Sequence, residues 1–237
     1  MQLFYFKDLS ETTASFTFDK EESRHIVKVL RKQEGDILFV TNGLGLLFKT
    51  EITFPSDHKC TVAVRSFEKQ DAPKGRLHLA VAPTKMNERY EWFLEKATEI
   101  GIHEITPIIC EHSERKTVKN DRFDKILLSA MKQANSTFLP VLNEPIAFRD
   151  FVSKPNEGQK FIAHCEQGEK KSLKSVLKPL MAVTVLIGPE GDFSDKEIAL
   201  ALQGGYLPVS LGNTRLRTET AAIVACHTVV LQNEEAT

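Results

Sequence analysis

The sequence predicts an α/β protein in two parts: a small antiparallel β-barrel with one helix, then a larger domain on a mostly parallel sheet. Three observations carry this expectation. Residues 1–70 are crowded with short β-branched and aromatic runs. From about residue 76, strand and helix patterns alternate. Between them, "KQDAPKG" (69–75) has turn formers and charge but no apolar period, which marks a linker.

In the first part, "ASFTF", "DILFV", "LGLLFKTEITF" and "KCTVAVRSFE" read as strands, with Asn42-Gly43 as a hairpin signal. One helical insert, "EESRHIVKVLRK", places Ile26, Val29 and Leu30 on one face and Arg24, Lys28, Arg31 and Lys32 largely on the other. After the linker, "LHLAVA" is a strand. "NERYEWFLEKATEIG" is an amphipathic helix with Tyr90, Phe93, Leu94, Ala97 and Ile100 inward, Asn87 as its cap and Gly101 as its terminator. The lone Trp92 reads as core or interface packing. "ITPIIC" follows as a strand, and Asp121 opens a helix with Phe123, Ile126, Leu127, Ala130, Met131 and Ala134 inward. "KFIAHC", "AVTVLIG" and "LPVSLG" are further strands; the helix between the last two starts at Ser194, with Glu197 completing a capping box. The expected domains are therefore 1–70 and 73–237.

Composition narrows the function classes. The chain has 237 residues, 41% hydrophobic and 27% charged, enough for a small and a medium core. Its formal net charge is -1, so a polyanion partner has to be met by a local basic patch. Four cysteines are scattered without a C-x-x-C pair or a histidine at ligand spacing, so reduced thiols and no structural metal are expected. Lys7 and Asp8 interrupt the N-terminal apolar run, which predicts neither a signal peptide nor a membrane span, and a cytoplasmic protein.

Two stretches carry chemistry. In "VLIGPEGDFSDKEI" (185–198) an apolar strand runs into Gly188-Pro189-Glu190-Gly191 and then a capped helix. Glycines at the C-terminal end of a strand let a ligand approach the backbone, and open α/β sheets bind ligands at that edge. The stretch lacks the Gly-Lys-Ser/Thr ending of a P-loop and the spacing of a dinucleotide fingerprint. In "VSLGNTRLRTETAAIVACHTV" (209–229), Gly212 follows a strand and Thr218 or Thr220 can cap the next helix. One cap does not require Arg215, Arg217, Thr218, Glu219 and Thr220 together. Two glycine-bearing loops after two strands of one sheet can converge on one ligand.

These motifs resemble the C-terminal signature of the RsmE family, SPOUT-superfamily methyltransferases that modify N3 of a uridine in 16S ribosomal RNA. "RHIVKVLRKQEGD" is similar to its N-terminal H-x-x-x-V-L-R-x-x-x-G-D element, through His25, Val29, Leu30, Arg31, Gly35 and Asp36. "KMNERYEWFLEKATEIGIHEITPI" resembles a further segment through Lys85, Lys96, Glu99, Gly101, Ile105 and Pro107. The chain departs from the pattern at Asp192-Phe193, where Gly and an aliphatic residue are common, and in "MKQANSTFLP", which lacks the usual Gly-Arg between Gln133 and Pro140.

The resemblance implies a PUA-like N-terminal barrel, a SPOUT α/β domain tied in a C-terminal trefoil knot, S-adenosylmethionine (SAM) as cofactor, and a homodimer. Carried over, the cofactor pocket comprises Leu186, Ile187, Gly188, Pro189, Glu190 and Gly191. Leu211, Gly212, Leu216, Arg217, Thr218 and Ala221 close it, with His164 nearby. Arg217 is the expected catalytic cation, since a positioned guanidinium stabilises developing negative charge. Glu190 and Glu219 are candidates for taking the uridine proton. Contact with small-subunit RNA, free or in the 30S particle, is assigned to Arg24, His25, Lys28, Arg31 and Lys32, with Lys85, Arg89, Arg115 and Lys116 beyond the linker; no membrane is involved. Two other readings stand beside this one: a SPOUT enzyme with another RNA target such as tRNA, and an rRNA-binding assembly factor without chemistry.

Overall fold

A computed structural model of the chain describes residues 2–118, 120–166 and 168–237. The chain forms two compact units. One is the chain up to Ala72 together with Met131–Leu139, and the other is Pro73–Ala130 with Pro140–Thr237.

The first unit is a five-stranded sheet of β1 (Leu3–Tyr5), β2 (Ser15–Thr17), β3 (Ile37–Thr41), β4 (Leu46–Pro55) and β5 (Cys60–Lys69), in the order β1-β3-β4-β5-β2. The β3–β4 hairpin turns at Asn42-Gly43, where the Asn42 amide oxygen accepts from the Leu44 and Leu46 N–H groups. The expected antiparallel pattern holds except at β1, which "LFY" builds parallel to β3. Among the described residues no pairing joins β1 to β2, so the sheet does not close on itself by its ladder. Its core gathers Phe4, Phe18, Ile26, Val40, Phe48 and Val62.

The helical insert departs from its expected face. α1 (Lys20–Arg24), capped by Asp19, passes into a π-helical stretch, His25–Val29. The wider turn shifts every later residue around the axis. Ile26 stays buried while Val29 is 67% exposed.

Met131–Leu139, expected with the second domain, packs on this sheet instead. The Thr137 carbonyl accepts from Gly45 N–H at 2.9 Å and from the Thr41 hydroxyl, and the Leu139 N–H donates to the Gly43 carbonyl. A Cβ on Gly45 would lie 2.7 Å from the Phe138 ring, so this approach requires glycine.

The second unit is an eight-stranded sheet. Its strands are β6 (Leu77–Val81), β7 (Glu104–Ile109), β8 (Val141–Leu142), β9 (Ile146–Ala147), β10 (Gln159–Ala163), β11 (Lys171–Ser172), β12 (Val183–Ile187) and β13 (Leu207–Ser210). Their order is β11-β13-β10-β12-β6-β7-β8, all parallel, with β9 also paired to β7. Every residue of β12 is buried, as a strand covered on both faces must be.

The helices are α2 (Asn87–Ile100), α3 (Asn120–Gln133), α4 (Phe148–Val152), α5 (Leu173–Val176), α6 (Asp195–Gln203) and α7 (Thr218–Glu235). Leu186, Ala80 and Ile162 pack against Phe148, Phe151, Ile198 and Ala201 from α4 and α6. Side chains alternate along a strand, so Val185 and Ile187 take the opposite face, where α7 packs on β6, β12 and α2.

Gly101 ends α2 with φ +107, and Ser194 with Glu197 forms the expected capping box. The cap of α2 is Met86 rather than Asn87, which is the first helical residue. Trp92 is 46% exposed, so it is not core, and Ala134, beyond the end of α3, is exposed.

Candidate functional site

β12 lies beside β10, and β13 on the other side of β10, so three parallel strands end together at Ala163, Ile187 and Ser210. The loops that leave them enclose two adjoining cavities. The first, about 420 Å³, is lined by His164 and Lys170 from one loop and by 211–216 from another. The second, about 280 Å³, is lined by Gly188, Pro189, Glu190 and Asp192 and by Arg217 and Thr218. Ala163, Cys165, Arg215, Leu216 and Ala221 border both, which makes them neighbouring lobes of one cleft.

Hydrogen bonds tie the three loops. The buried Thr218 hydroxyl donates to the Gly188 carbonyl at 2.9 Å. The Asp192 carboxylate accepts from the Cys165 N–H at 2.6 Å and from the Phe193 N–H at 2.9 Å. The Ser210 hydroxyl donates to the Gly212 carbonyl at 2.8 Å and accepts from the Gly212 N–H. Glu190 accepts from the Lys85 N–H through Oε1, while its buried Oε2 has no partner among the described residues.

The two glycines serve different ends. Gly212 has φ +145, and a Cβ there would meet nothing within 4 Å; the backbone conformation alone asks for glycine. At Gly188 a Cβ would lie 3.1 Å from the Phe193 ring, so the crowding comes from the chain's own core.

The electrostatics of the cleft favour neutral histidine and thiol. Burial, and then the Lys170 ammonium, hold His164 below the ordinary histidine range, and its buried Nδ1 has no partner among the described residues. Burial and the nearby Asp192 raise the Cys165 thiol. Glu219 is buried in the first turn of α7, where the helix dipole favours an acid, with Oε1 3.8 Å from Arg89 Nε and Oε2 without a partner among the described residues.

Of the residues expected to form the pocket, His164, Leu211, Gly212, Leu216 and Ala221 line the first cavity. Ile187, Gly188, Pro189, Glu190, Arg217 and Thr218 line the second, with Leu216 and Ala221 again. Two expected residues lie elsewhere. Leu186 is buried inside the sheet core, and Gly191 turns toward His112, whose Nδ1 lies 3.1 Å from the Gly191 carbonyl oxygen. The cap of α7 is Arg217, not Thr218 or Thr220; its guanidinium has no acceptor for a helix N–H, so it caps without a side-chain bond, and the Thr218 hydroxyl is engaged by Gly188. Cys165, Lys170 and Asp192 border the cleft but were not among the expected residues. The sequence signal for them was position alone, just after an apolar strand end.

The cations assigned to RNA divide between the units. In the first, Arg24 and Arg31 are exposed, Arg31 at φ +56; Lys28 lies 3.6 Å from Asp57, and His25 lies 3.0 Å from Glu22. Glu22 also pairs with Lys132, which stands over the Phe4 ring. Lys32 borders a shallow cavity with Phe4 and Phe39. In the second unit Lys85 pairs with Glu114 and Arg89 faces Glu219, while Arg115 lines a cavity with Glu91 and Arg122. Lys116 is exposed.

Among the described residues no cluster of three or more His, Cys, Asp or Glu could hold a metal ion, and no helix is long and apolar enough to cross a membrane.

Residues 70–230 match the family described as RNA methyltransferase domain, and residues 18–65 match the RNA methyltransferase PUA domain. The chain is 32% identical over 222 residues to the ribosomal RNA small subunit methyltransferase E of Buchnera aphidicola, covering 89% of this chain and 85% of that protein. Its Bacillus subtilis namesake is 26% identical, over 97% and 96%. Among solved structures, a probable rRNA methyltransferase from Porphyromonas gingivalis superposes with TM-score 0.92 at 38% identity over all of both chains. A candidate methyltransferase from Legionella pneumophila, in complex with the bound cofactor SAM, gives 0.85 at 30% identity over 96% of each. The α/β architecture, with a PUA-like unit and a methyltransferase unit, is shared with these relatives, and the chain belongs to the RsmE family of RNA methyltransferases.

Proposed function

We propose that this chain transfers the methyl group of SAM to N3 of a uridine in small-subunit ribosomal RNA. The observation that carries the reading is the two-lobed cleft at the ends of β10, β12 and β13, bordered by both glycine loops of the family signature. The residues present fit the cofactor. The Gly212 loop leaves open space for a close-lying ring, and Leu211 and Leu216 supply apolar contact. Buried polar atoms of His164 and Glu190 have no partner among the described residues beside the cleft. When bound, SAM supplies an electrophilic methyl on a sulfonium.

The chain's own residues have three tasks. The backbone of 187–190 and 211–216 would hold the cofactor. Arg217, exposed at the N-terminus of α7 and bordering the second lobe, would stabilise the negative charge that grows on the uracil imide as N3 loses its proton. Glu190, which lines the second lobe and has a buried oxygen without a partner among the described residues, would take that proton; Glu219, the other candidate, lines neither lobe and faces Arg89. The first unit, with exposed Arg24 and Arg31, would hold RNA phosphates, since such binding works through several cations at once.

Three further parts of the reading are ours. The trefoil knot is supported by β12 lying between β6 and β10 and by α7 returning from β13 to pack on β6 and α2. A homodimer is supported by α7, which leaves Leu231 exposed and Ile223, Val224 and Val230 only partly covered. Sedimentation of the full chain at micromolar concentration is expected to give a dimer, and a clean monomer rejects it. A cytoplasmic location follows from the ribosomal substrate.

The decisive experiment maps N3-methyluridine in ribosomal RNA from cells lacking this protein. One small-subunit uridine is expected to lose the mark and regain it with the wild-type chain. An unchanged map rejects the reading.

A further inference from the structure

We propose that Asp192 is a positioning residue for the cofactor, a clamp that fixes the wall shared by the two lobes; this rests on the cofactor reading above. The ladder between β10 and β12 ends at the pair Ala163–Ile187, and beyond it the two chains separate into loops. Asp192 fastens them past that point: Oδ2 accepts the Cys165 N–H at 2.6 Å, while Oδ1 accepts the Phe193 N–H of its own loop at 2.9 Å. Both bonds use an ionised acceptor, the stronger class of hydrogen bond. Cys165 borders both lobes and Asp192 the second, so the clamp sits in the cleft's own wall.

The backbone argues that the carboxylate is the reason for this residue. Asp192 closes a turn by donating its N–H to the Pro189 carbonyl at 3.0 Å, and it does so at φ +64. Glycine suits that conformation best. Within the turn the side chain makes one local bond, to the Phe193 N–H, and its other oxygen gives the β10 loop an acceptor that no other loop supplies to Cys165 N–H among the described hydrogen bonds. On the far side of the same loop, Lys170 donates to the His164 carbonyl at 2.7 Å and to that of Glu166. The loop is held from two directions, and among the described hydrogen bonds only the Asp192 contact joins it to the glycine loop of β12.

The test uses the full-length chain and four forms: wild type, Asp192→Ala, Asp192→Asn and Asp192→Gly. The readouts are SAM affinity by calorimetry, methyl transfer to small-subunit RNA at varied SAM, and hydrogen exchange at the Cys165 amide. Asp192→Ala and Asp192→Gly are expected to weaken SAM binding about tenfold or more and to raise KM for SAM. The kcat at saturating SAM should stay within about threefold, as when binding common to ground and transition states is lost. Exchange at the Cys165 amide should accelerate in both. Asp192→Asn, which keeps one acceptor oxygen and tolerates left-handed φ, should recover part of the affinity. Wild-type affinity in Asp192→Gly would show that only the backbone matters, and it overturns the clamp, as does unchanged exchange at Cys165. A wild-type chain that takes up no SAM overturns the cofactor reading and this role with it, and that result is separate from the exchange measurement.

Discussion

The Thr218 hydroxyl donates to the Gly188 carbonyl at 2.9 Å, joining the first residue of α7 to the loop after β12. The bond is buried and spans 30 residues of sequence. It ties the start of α7, which follows the Gly212 loop, to the Gly188 loop.

Thr218→Val keeps the side-chain volume and removes the donor, leaving a buried carbonyl unpaired. That loss costs about 1–3 kcal/mol of stability. Urea unfolding should show it, and calorimetry should show weakened SAM binding, whereas Thr218→Ser should restore both. Equal stability of Thr218→Val and wild type would mean that the carbonyl finds another donor.

Gly212 and Gly188 should separate loss of binding from loss of folding. Gly212→Ala is forced into φ +145 with no steric neighbour, at a cost of about 1–3 kcal/mol or a local shift of the loop. The loop is exposed and has room to relieve the strain by that local shift, so the midpoint of unfolding should move little while SAM affinity falls. Gly188→Val instead strikes the buried Phe193 ring and should destabilise the α4–α6 side of the core as a whole. If Gly212→Ala binds SAM normally, the loop does not line the cofactor.

Much of this site was legible because apolar strand ends and glycines are local signals. The β12 run "VTVLI", the Ser194–Glu197 box and the Gly101 terminator each follow from a few neighbouring residues, and each is present. What was not legible depends on partners distant in sequence. Nothing near Thr218 announces that its hydroxyl belongs to Gly188 rather than to the helix cap. Residues 131–139 look like a helix tail until Gly45 is known to leave room for Phe138. The exposure of Val29 follows from a π-helical stretch, which a 3.6-residue period cannot anticipate. Apart from β2, whose "ASFTF" run is apolar and aromatic enough to read, the strands of two or three residues, β1, β8, β9 and β11, are too short to show alternation.

Stability should fall as the medium is acidified from pH 7.5 to 5.5. Burial holds His78, His103 and His164 below the ordinary histidine value in the folded chain. His103 also accepts the Leu77 N–H through Nδ1, which requires that nitrogen to be unprotonated. Below about pH 6.5 the unfolded chain takes up protons that the folded chain resists, so the free energy of unfolding falls as pH drops. The contribution is full above that value and is lost progressively below it. Urea midpoints across this range test it, and His103→Gln should flatten part of the slope. A midpoint independent of pH would mean these histidines titrate alike in both states.

Arg217 should matter more to chemistry than to cofactor binding. It caps α7 without a side-chain bond, is exposed, borders the lobe next to Glu190, and has no ion-pair partner among the described residues, which suits it to meet an incoming base or phosphate. Arg217→Ala is expected to keep SAM affinity within about tenfold, a change under roughly 1.4 kcal/mol. Methyl transfer to small-subunit RNA should fall about a hundredfold, as the loss of a transition-state donor does. Arg31→Ala in the first unit should behave differently, weakening RNA binding while single-turnover methylation at saturating RNA stays near wild type. The contrast between the two variants is the discriminating result, because a general loss of positive charge would affect both in the same way. Normal turnover by Arg217→Ala would return that arginine to the status of a solvated loop residue and leave Glu190 and Glu219 as the charged groups to test next.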